Sequence, residues 1–347
     1  MDLPELTIFD VGHGNCALLR DGEAIYVIDV PRNDRELMET LKDASVDAID
    51  AILISHADED HAAGAAALIT DENLVVKRLY VNPDAGQKSR AWESVRVAVN
   101  DAEKRHSSFE AHTQLTTSSD SDFSLPSVEV EVLAPSPGLA MSGPGGTTLD
   151  GRRLFSNGMS VVLRVSRNEQ RGVLFTGDLD RRGFDALVAA KVDLGAKVLV
   201  FPHHGGSPGG TDAREFAAQL TAAVQPEVVV FSLKGEQENP RPEIVEGIRE
   251  SAPTAHIACT QLSGQCAAEH PKTLQEYLSK KAARGRADTS APGCCAGTLD
   301  FHLSPTGLDC PQLKGHAAWV SKYVPDRICV PIEEGGAEAA PVPAVGA

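Results

Sequence analysis

The feature that most constrains this chain is a group of metal-binding side chains directly after a short apolar segment. Residues 51–54 read Ala-Ile-Leu-Ile and predict a buried strand. His56, Asp58, Asp60 and His61 follow, and small residues then predict the start of a helix. A strand that leads through such a turn into a helix places the turn at the carboxyl edge of a sheet, where α/β proteins bind ligands. A helix-capping loop is the alternative, but two His and two Asp together favour a metal centre.

The overall composition is that of a globular protein that does not bind nucleic acid through charge alone. With 347 residues the chain can form one large domain or two. It has no apolar run of about 18 residues that would predict a membrane span. The net charge of −17 argues against broad, charge-driven binding of nucleic acid. It does not exclude a site at which metal ions supply the positive charge.

Two further features predict a cytoplasmic protein. The acidic N-terminus leads directly into a predicted strand, without the basic and apolar regions of a secretory signal. Seven Cys in such a chain are typical of reduced thiols rather than of a disulfide framework.

The first half of the chain predicts a β-meander followed by alternating helices and strands. Strands are expected at 6–9, 17–20, 24–29, 51–54 and 75–81, and helices at 33–44, about 61–69 and 88–104. The segment 107–124 is rich in Ser, Thr and Asp and is expected to be a loop. The segment 135–154, rich in Gly, Pro and Ser, precedes another candidate ligand, and we expect it to cover the site as a lid.

The second half repeats this order. Strands are expected at 128–133, 159–165, 171–175, 197–201 and 227–233, and helices at 184–190, 212–223 and 242–251. Two such halves predict two sheets packed face to face with helices outside, a four-layer αββα sandwich of the α/β (α+β) class.

Further candidate ligands lie at the ends of the strands in the second half. Asn157 precedes one strand, Asp178 follows the next, and His203 and His204 follow a third. Strand ends can converge on one edge of the sandwich. A cluster of His and Asp at that edge predicts a centre with two metal ions.

Taken together, these motifs resemble the metallo-β-lactamase superfamily over roughly residues 5–250. The detail is most similar to the β-lactamase-like domain of the DNA-uptake competence proteins of the ComEC type. The shared motifs begin at Asp10 (D-V-G-H-G-N), His56 (H-A-D-E-D-H), Asn157 (N-G-M-S), Thr176 (T-G-D) and His203 (H-H-G-G-S). Here Asp58 stands where most relatives carry His.

The resemblance implies a ligand set for two divalent ions. Asp178 would bridge them; His56, Asp58 and Asn157 would hold the first, and Asp60, His61 and His203 the second. It also implies a metal-bridging hydroxide as the nucleophile, oriented by Asp60 or Asp178. His204 would lie behind the ligands or face the substrate as a catalytic residue, and the order of His203 and His204 stays open. Asp10 and Asp29 would brace the site through hydrogen bonds.

One motif departs from the subfamily. The usual H-P-H-P-E element is here Asn239-Pro-Arg241-Pro-Glu, without either His. A His there is thought to help bind substrate or assist the leaving group, so its loss puts the rate and the reaction in question. Asn239 and Arg241 are therefore candidate substrate-binding residues, since Arg suits phosphate and carboxylate. The alternative for Arg241 is an exposed residue in the first turn of a helix.

The ligand types and the resemblance together define three candidate functions. The oxygen-rich ligands favour Mn²⁺, while the imidazoles keep Zn²⁺ open. The first candidate is a metal-dependent phosphodiesterase or nuclease with a phosphoester or nucleic-acid substrate. The second is a metallo-hydrolase of amide, ester or thioester bonds. The third is a non-enzymatic, metal-stabilised interaction module, with protein partners in a bacterial defence or stress system. The chain lacks the membrane channel of the competence proteins, so DNA uptake itself is not expected.

The C-terminal part differs in composition and carries six of the seven Cys. We expect a hydrolase domain at 1–254, a Cys-rich extension packed on it at 255–330, and a disordered tail at 331–347. The thiols of Cys259, Cys266, Cys294 and Cys329 are candidates for a structural zinc site. Their spacing is not C-x₂-C, and buried free thiols are the alternative.

Overall fold

The structure of the protein is a computed structural model. It describes residues 3–119, 122–123, 125–148, 151–210, 212–235, 238–266, 295–324 and 326–330. The strands are β1 Glu5–Ile8, β2 Ala17–Asp21, β3 Ala24–Ile28, β4 Ala48–Ile49, β5 Ala51–Ile54, β6 Val75–Val76, β7 Arg78–Val81, β8 Glu110–His112, β9 Glu129–Ala134, β10 Val162–Arg167, β11 Gln170–Phe175, β12 Val198–Val200, β13 Val228–Phe231, β14 His256–Cys259, β15 Leu299–Ser304 and β16 Gly307–Asp309.

The helices lie mostly between parallel strands. They are α1 Arg35–Asp43, α2 Glu59–Ala62, α3 Ala65–Thr70, α4 Arg90–Arg105, α5 Pro137–Ser142, α6 Arg181–Ala189, α7 Ala213–Val224, α8 Pro242–Ser251 and α9 His316–Tyr323. Short 3₁₀ turns occur at Asn157–Met159, Pro202–Gly205, Gly264–Cys266 and Pro311–Leu313. Within the described ranges, no helix combines the length and the apolar character that crossing a bilayer requires.

Two sheets form the centre of the molecule. The first has the strand order β16-β15-β1-β2-β3-β5-β7-β8 and the second the order β14-β13-β12-β11-β10-β9, while β4 and β6 pair separately. Strands β3, β5, β7 and β8 run parallel to one another, as do β11, β12, β13 and β14. Each parallel set therefore brings the carboxyl ends of its strands to one edge.

The buried residues show four layers. One apolar cluster lies between the sheets and includes Leu6 and Tyr26 of the first sheet and Val198 of the second. A second cluster packs the first sheet against α1, α3 and α4, and a third packs the second sheet against α6, α7 and α8. Each sheet is thus covered on both faces, which explains the near-continuous apolar runs in its parallel strands. The predicted four-layer αββα sandwich is confirmed.

Strands from the C-terminal part of the chain complete both sheets. β14 adds to the second sheet parallel to β13, and β15 pairs antiparallel with β1. The Thr7 hydroxyl donates to the Asp300 carboxylate at 2.8 Å across this second pairing. The division at residue 254 stays a prediction, and the expected tail 331–347 lies outside the described residues.

Several predicted element bounds are wrong. The expected loop 107–124 contains the edge strand β8, whose Glu-Ala-His sequence has no apolar alternation and which pairs only with β7. The expected loop 135–154 contains α5, started by a Ser136 cap. The strand predicted from residue 159 begins at Val162, because Asn157–Met159 forms a 3₁₀ turn first. The helix predicted at 61–69 is two helices, α2 and α3.

The pairing of β15 makes a prediction about stability. Phe301 on β15 is 1% exposed and belongs to the cluster between the sheets, so Phe301→Ala is expected to lower the free energy of unfolding by about 3–5 kcal/mol. Phe155→Ala is the matched control, because Phe155 is 48% exposed. Urea unfolding of both variants measures the difference. Equal effects would contradict the placement of β15 in the core.

Candidate metal centre

Strand ends from both sheets meet at one edge of the sandwich. Asp29 follows β3, Ser55 and His56 follow β5, Asp178 follows β11, and His203 and His204 follow β12. The two sheets contact each other there directly, because the backbone N–H of Val161 donates to the carbonyl of Ser55 at 2.9 Å. The turn after β5 therefore faces the turns of the second sheet.

One half of the site consists of Asp60, His61, Asp178 and His204, whose ligand atoms all lie within 4.8 Å of one another. His61 Nε2 is 3.3 Å from Asp178 Oδ1 and 3.8 Å from Asp60 Oδ2. His204 Nε2 is 3.2 Å from Asp60 Oδ2 and 3.9 Å from Asp178 Oδ1. Four donors from both sheets converge here, in the mixture of imidazole and carboxylate that divalent ions such as Zn²⁺ accept.

Three further predicted ligands lie around this cluster. His203 Nδ1 is 3.5 Å from Asp178 Oδ2, the oxygen that does not face His61. His56 Nε2 is 3.5 Å from Asp58 Oδ2, and its ring centroid is 4.2 Å from that of His61. The two oxygens of the Asp178 carboxylate therefore face different imidazoles, and its role as a bridging ligand stays a prediction.

Three imidazole nitrogens indicate that the residues fit metal ions. Nε2 of His56, His61 and His203 is buried, and none of them has a hydrogen-bond partner among the described residues. A buried polar atom without a partner costs free energy, and an isolated case calls for an explanation. Here Nε2 of His56 and Nε2 of His61 lie beside carboxylates of the site, and coordination of a cation would satisfy them.

Hydrogen bonds behind the ligands fix the orientation of the rings. Asp29 Oδ2 lies 2.7 Å from His61 Nδ1, and the Ser55 hydroxyl donates to the same oxygen at 2.9 Å. The His204 Nδ1 group lies 2.7 Å from the carbonyl of Ser232. With Nδ1 donating in both rings, Nε2 of His61 and of His204 carries the lone pair that faces the site. Asp29 contacts a predicted ligand directly, as expected for a bracing residue.

The backbone around the site adopts conformations that L-residues rarely take. His203 has φ = 52° and His204 has φ = 53°, so two consecutive bulky residues lie in the left-handed region. Asp29 is left-handed as well, with φ = 56°. Such strain persists only where the surroundings hold it, and it concentrates at functional sites.

The carboxylates and imidazoles of the site shift one another's pKa values. Burial by itself would raise the pKa of Asp60 and of Asp178, but both pKa values lie below the usual range. The hydrogen bond from His204 and the charge of His61 lower the pKa of Asp60. The charge of His61 and the hydrogen bond from His203 lower the pKa of Asp178. Burial would lower the pKa of His61, but the carboxylates of Asp178 and Asp29 raise it well above its usual value. The hydrogen bond from His56 lowers the pKa of Asp58. The carboxylates therefore stay ionised and attract cations.

Two residues at the site were not predicted as site residues. His13 Nε2 is 3.2 Å from Asp60 Oδ2, and its ring lies 4.7 Å from that of His204. Its position between two glycines in D-V-G-H-G-N was the available signal. Gly14 holds this loop against the turn, because a Cβ there would lie 2.4 Å from the Asp60 carbonyl. Gln87 Nε2 donates to Asp58 Oδ1 at 2.7 Å, and no sequence pattern marks it.

The remaining predicted residues lie at different distances from this centre. No contact joins the side chain of Asn157 to the cluster within the described part of the chain, so its ligand role stays a prediction. Asn239 lies beside the turn after His204, since a Cβ on Gly206 would be 3.2 Å from its Nδ2. Arg241 is exposed, precedes α8 and lies 3.7 Å from Glu243. This geometry matches the alternative interpretation of Arg241, and its substrate role stays a prediction.

The C-terminal thiols form a separate buried group. Cys266 accepts hydrogen bonds from the backbone of Ile328 and Cys329, and its thiol pairs with that of Cys329. Cys295 Sγ lies 3.3 Å from His316 Nε2. Cys294 lies outside the described residues. Among the described residues, the compact ligand set is the Asp60 cluster and not these thiols, so the zinc site at Cys259, Cys266, Cys294 and Cys329 stays a prediction.

Part of the chain matches the model of a known protein family. Residues 9–134 match the family model of the metallo-beta-lactamase superfamily. This match agrees with the resemblance of the motifs, with the sandwich fold and with the His/Asp cluster that could hold a metal ion.

Among individual proteins, the chain is similar to the competence protein ComA of Neisseria gonorrhoeae. The two are 26% identical over 231 residues, which are 65% of this chain and 26% of that protein. The chain therefore spans about a quarter of the length of this relative.

The solved structures that resemble this protein are more distant. Igni18, a metallo hydrolase from Ignicoccus hospitalis, is 17% identical, with 73% of this chain and 94% of that chain covered and a TM-score of 0.43. YhfI, a metallo-beta-lactamase fold protein of Bacillus subtilis, is 12% identical, with 74% and 96% covered and a TM-score of 0.46. The short form of human tRNase Z is 14% identical, with 65% and 91% covered and a TM-score of 0.36. Similarities at this level do not indicate a substrate.

The hydrogen bonds of Asp29 predict a loss of metal affinity on substitution. Asp29→Asn keeps the shape of the side chain but weakens its hold on His61 Nδ1, so affinity for Zn²⁺ or Mn²⁺ is expected to fall about 10- to 100-fold. Titration calorimetry against each ion measures this. Asp50→Asn is the control, because Asp50 accepts from Ile25 N and pairs with Lys77 away from the cluster. Unchanged affinity in Asp29→Asn would show that this bond does not orient a ligand.

The raised pKa of Asp10 predicts that the free energy of unfolding depends on pH. Burial raises its pKa from 3.8 to about 7, although Gln261 Nε2 donates to it at 2.8 Å. The stability that this group contributes is complete below pH 4 and is lost as the pH rises through 7. Asp10→Asn should therefore gain stability relative to wild type between pH 5 and pH 8, by on the order of 1–2 kcal/mol.

Urea unfolding of metal-free protein at the two pH values measures this gain. The control is Asp43→Asn at an exposed position of α1, which should give the same difference from wild type at both pH values. A difference for Asp10→Asn that does not change with pH would contradict the raised pKa.

Proposed function

We propose that the protein is a phosphodiesterase, with nucleic acid or another phosphodiester as substrate, that works with two divalent ions, Mn²⁺ or Zn²⁺. The observation that carries this proposal is the position of Asp178 between the two half-sites. One of its oxygens is 3.3 Å from His61 Nε2 and the other is 3.5 Å from His203 Nδ1. Such paired cation sites suit in-line displacement at phosphorus, because attacking and leaving oxygens both need stabilisation.

The proposed ligand roles follow the distances. One ion would be held by Asp60, His61 and His204. The other ion would be held by His56, Asp58 and His203, with Asn157 as a further ligand. Asp178 would be shared by both ions. His204 thus joins Asp60 and His61, and His203 lies nearer the other half. Asp60 would also orient the attacking water through Oδ2. When bound, the ions lower the pKa of coordinated water and stabilise the negative charge that develops on the phosphoryl oxygens.

The residues of the chain position and shield the reaction. His61 and His204 are buried, and each is held by a hydrogen bond behind the ring, so neither has to reorganise when substrate arrives. His13 is half-exposed at the mouth beside Asp60, where it can contact the substrate. The segment around Ala140 and Gly143 borders the cavity at His56 and covers that side, as expected for a lid.

Three considerations favour a phosphodiester over an amide, ester or thioester. The cluster is rich in carboxylates, which suit the hard ions that commonly accompany phosphoryl chemistry. The motifs resemble those of DNA-uptake competence proteins, and the chain matches a competence protein over 65% of its length. The net charge of −17 makes short or single-stranded substrates more suitable than long duplexes. A cytoplasmic location belongs to the same proposal.

The proposal predicts loss of turnover without loss of fold. Asp60→Ala and His61→Ala are each expected to lower metal-dependent cleavage of bis(p-nitrophenyl) phosphate at least about 100-fold, because each removes a ligand. A chelator should abolish activity, and added Mn²⁺ or Zn²⁺ should restore it. Steady-state kinetics and far-UV circular dichroism measure activity and fold.

Glu59→Ala is the matched control, because this neighbouring carboxylate pairs with Arg32 at the surface. It should leave turnover unchanged. A panel that adds a β-lactam and a thioester separates the two hydrolase classes. Cleavage of either of these, with no cleavage of any phosphodiester, would overturn the proposal, and near wild-type activity of Asp60→Ala would overturn the site.

A further inference from the structure

An aromatic ring flanked by two arginines lies at the surface near the metal centre. Phe155 is 48% exposed. The guanidinium carbon of Arg153 is 5.5 Å from the ring centroid, and that of Arg182 is 5.2 Å from it. Arg182 Nη1 also donates to the carbonyl of Arg153 at 2.6 Å, which ties the N-terminus of α6 to this segment. The Arg182 side chain is therefore held beside the ring by this hydrogen bond.

The two arginines differ from several others among the described residues. Neither Arg153 nor Arg182 forms an ion pair with a carboxylate of the described residues. By contrast, Arg181 pairs with Asp185 in the same helix, and Arg214 pairs with Glu246 and Glu250. With a net charge of −17 over the chain, two unpaired guanidinium groups on one ring form a local positive patch.

This patch adjoins the metal centre through the segment that follows it. The Ser156 hydroxyl donates to the carboxylate of Asp84. Ser156 and Asp84 border the same cavity as His56. Phe155 directly precedes Ser156, so its ring lies beside the cavity that His56 borders, and a strand bound across the ring can extend towards that cavity.

We propose that Phe155, Arg153 and Arg182 form a binding platform for single-stranded nucleic acid, on which one base stacks while the arginines contact phosphates. The proposal rests on the phosphodiesterase function proposed above and names its substrate class. An exposed ring can stack only on a base that is unpaired, whereas a duplex hides its base faces. Guanidinium groups suit phosphate oxygens, and two of them beside one ring match a base and its flanking phosphates.

Binding of a fluorescein-labelled oligothymidylate to the full chain, followed by fluorescence anisotropy in the presence of a chelator, tests the platform. Phe155→Ala is expected to weaken binding about 5- to 100-fold, because the ring that stacks on one base is removed. Phe155→Trp should retain the affinity. Arg153→Ala with Arg182→Ala should weaken binding and reduce the salt dependence, by about 0.7 in the logarithmic slope for each phosphate that is no longer neutralised.

Arg181→Ala is the matched control, because it removes a neighbouring but paired charge from the same helix. It should bind as the wild type does. All variants should hydrolyse bis(p-nitrophenyl) phosphate at wild-type rates, since that substrate is too small to need the platform.

The outcomes separate the platform from the proposed function. Wild-type affinity of Phe155→Ala for the single strand would overturn the platform, even if phosphodiesters are cleaved. Equal weakening by Arg181→Ala would show a general charge effect and would also overturn it. Loss of bis(p-nitrophenyl) phosphate turnover in Phe155→Ala would assign the ring to the structure of the site instead. Failure of the wild type to cleave any phosphodiester overturns the proposed function alone, because strand binding is measured without turnover.

Discussion

The structure depends on a buried chain of charges that joins its two sheets. Asp29, at the end of β3, lies 2.7 Å from His61 Nδ1, and His61 Nε2 lies 3.3 Å from Asp178 at the end of β11. All three residues are at most 7% exposed. A carboxylate–imidazole–carboxylate series is stable in such a place only if the central ring is charged or if a cation lies between ring and carboxylate. The contact between the two sheets therefore needs a positive charge, either on the His61 ring or on a bound cation.

Unusual backbone conformations place the side chains that surround this series of charges. Left-handed conformations at His203 and His204 turn both rings back towards Asp178, at a conformational cost that the packing around them must offset. On the other side, Gly14 lets the first loop approach the Asp60 carbonyl, and this approach places His13 over the cluster. Backbone strain and close backbone contacts are thus concentrated where two imidazoles and a carboxylate lie in one small volume. Strained backbone conformations commonly cluster at functional sites.

Electrostatics also organises what can reach the site. The chain is acidic as a whole, so long-range attraction of polyanions is weak. Arg153 and Arg182, which form no ion pair with a carboxylate of the described residues, provide positive charge beside the candidate site. In the proposed function, this charge and bound cations would suit recognition of short, accessible phosphodiester segments through direct contacts.

The sequence by itself determined the succession of strands and helices along each half, the sandwich fold and the strand ends that carry candidate ligands. The reason is local: an apolar run that stops at His or Asp indicates a buried strand and the point where it ends. The turn from His56 to His61 is the clearest case. Only the tertiary structure decided that His204 rather than His203 lies with Asp60, that Gln87 reaches Asp58, and that His13 covers the cluster. These depend on left-handed backbone angles and on loops from distant elements, which leave no periodic signal in the residues themselves. The same holds for β8, which is recognised as a strand only by its pairing with β7, and for Arg153 and Arg182, which are brought to the Phe155 ring only by the fold.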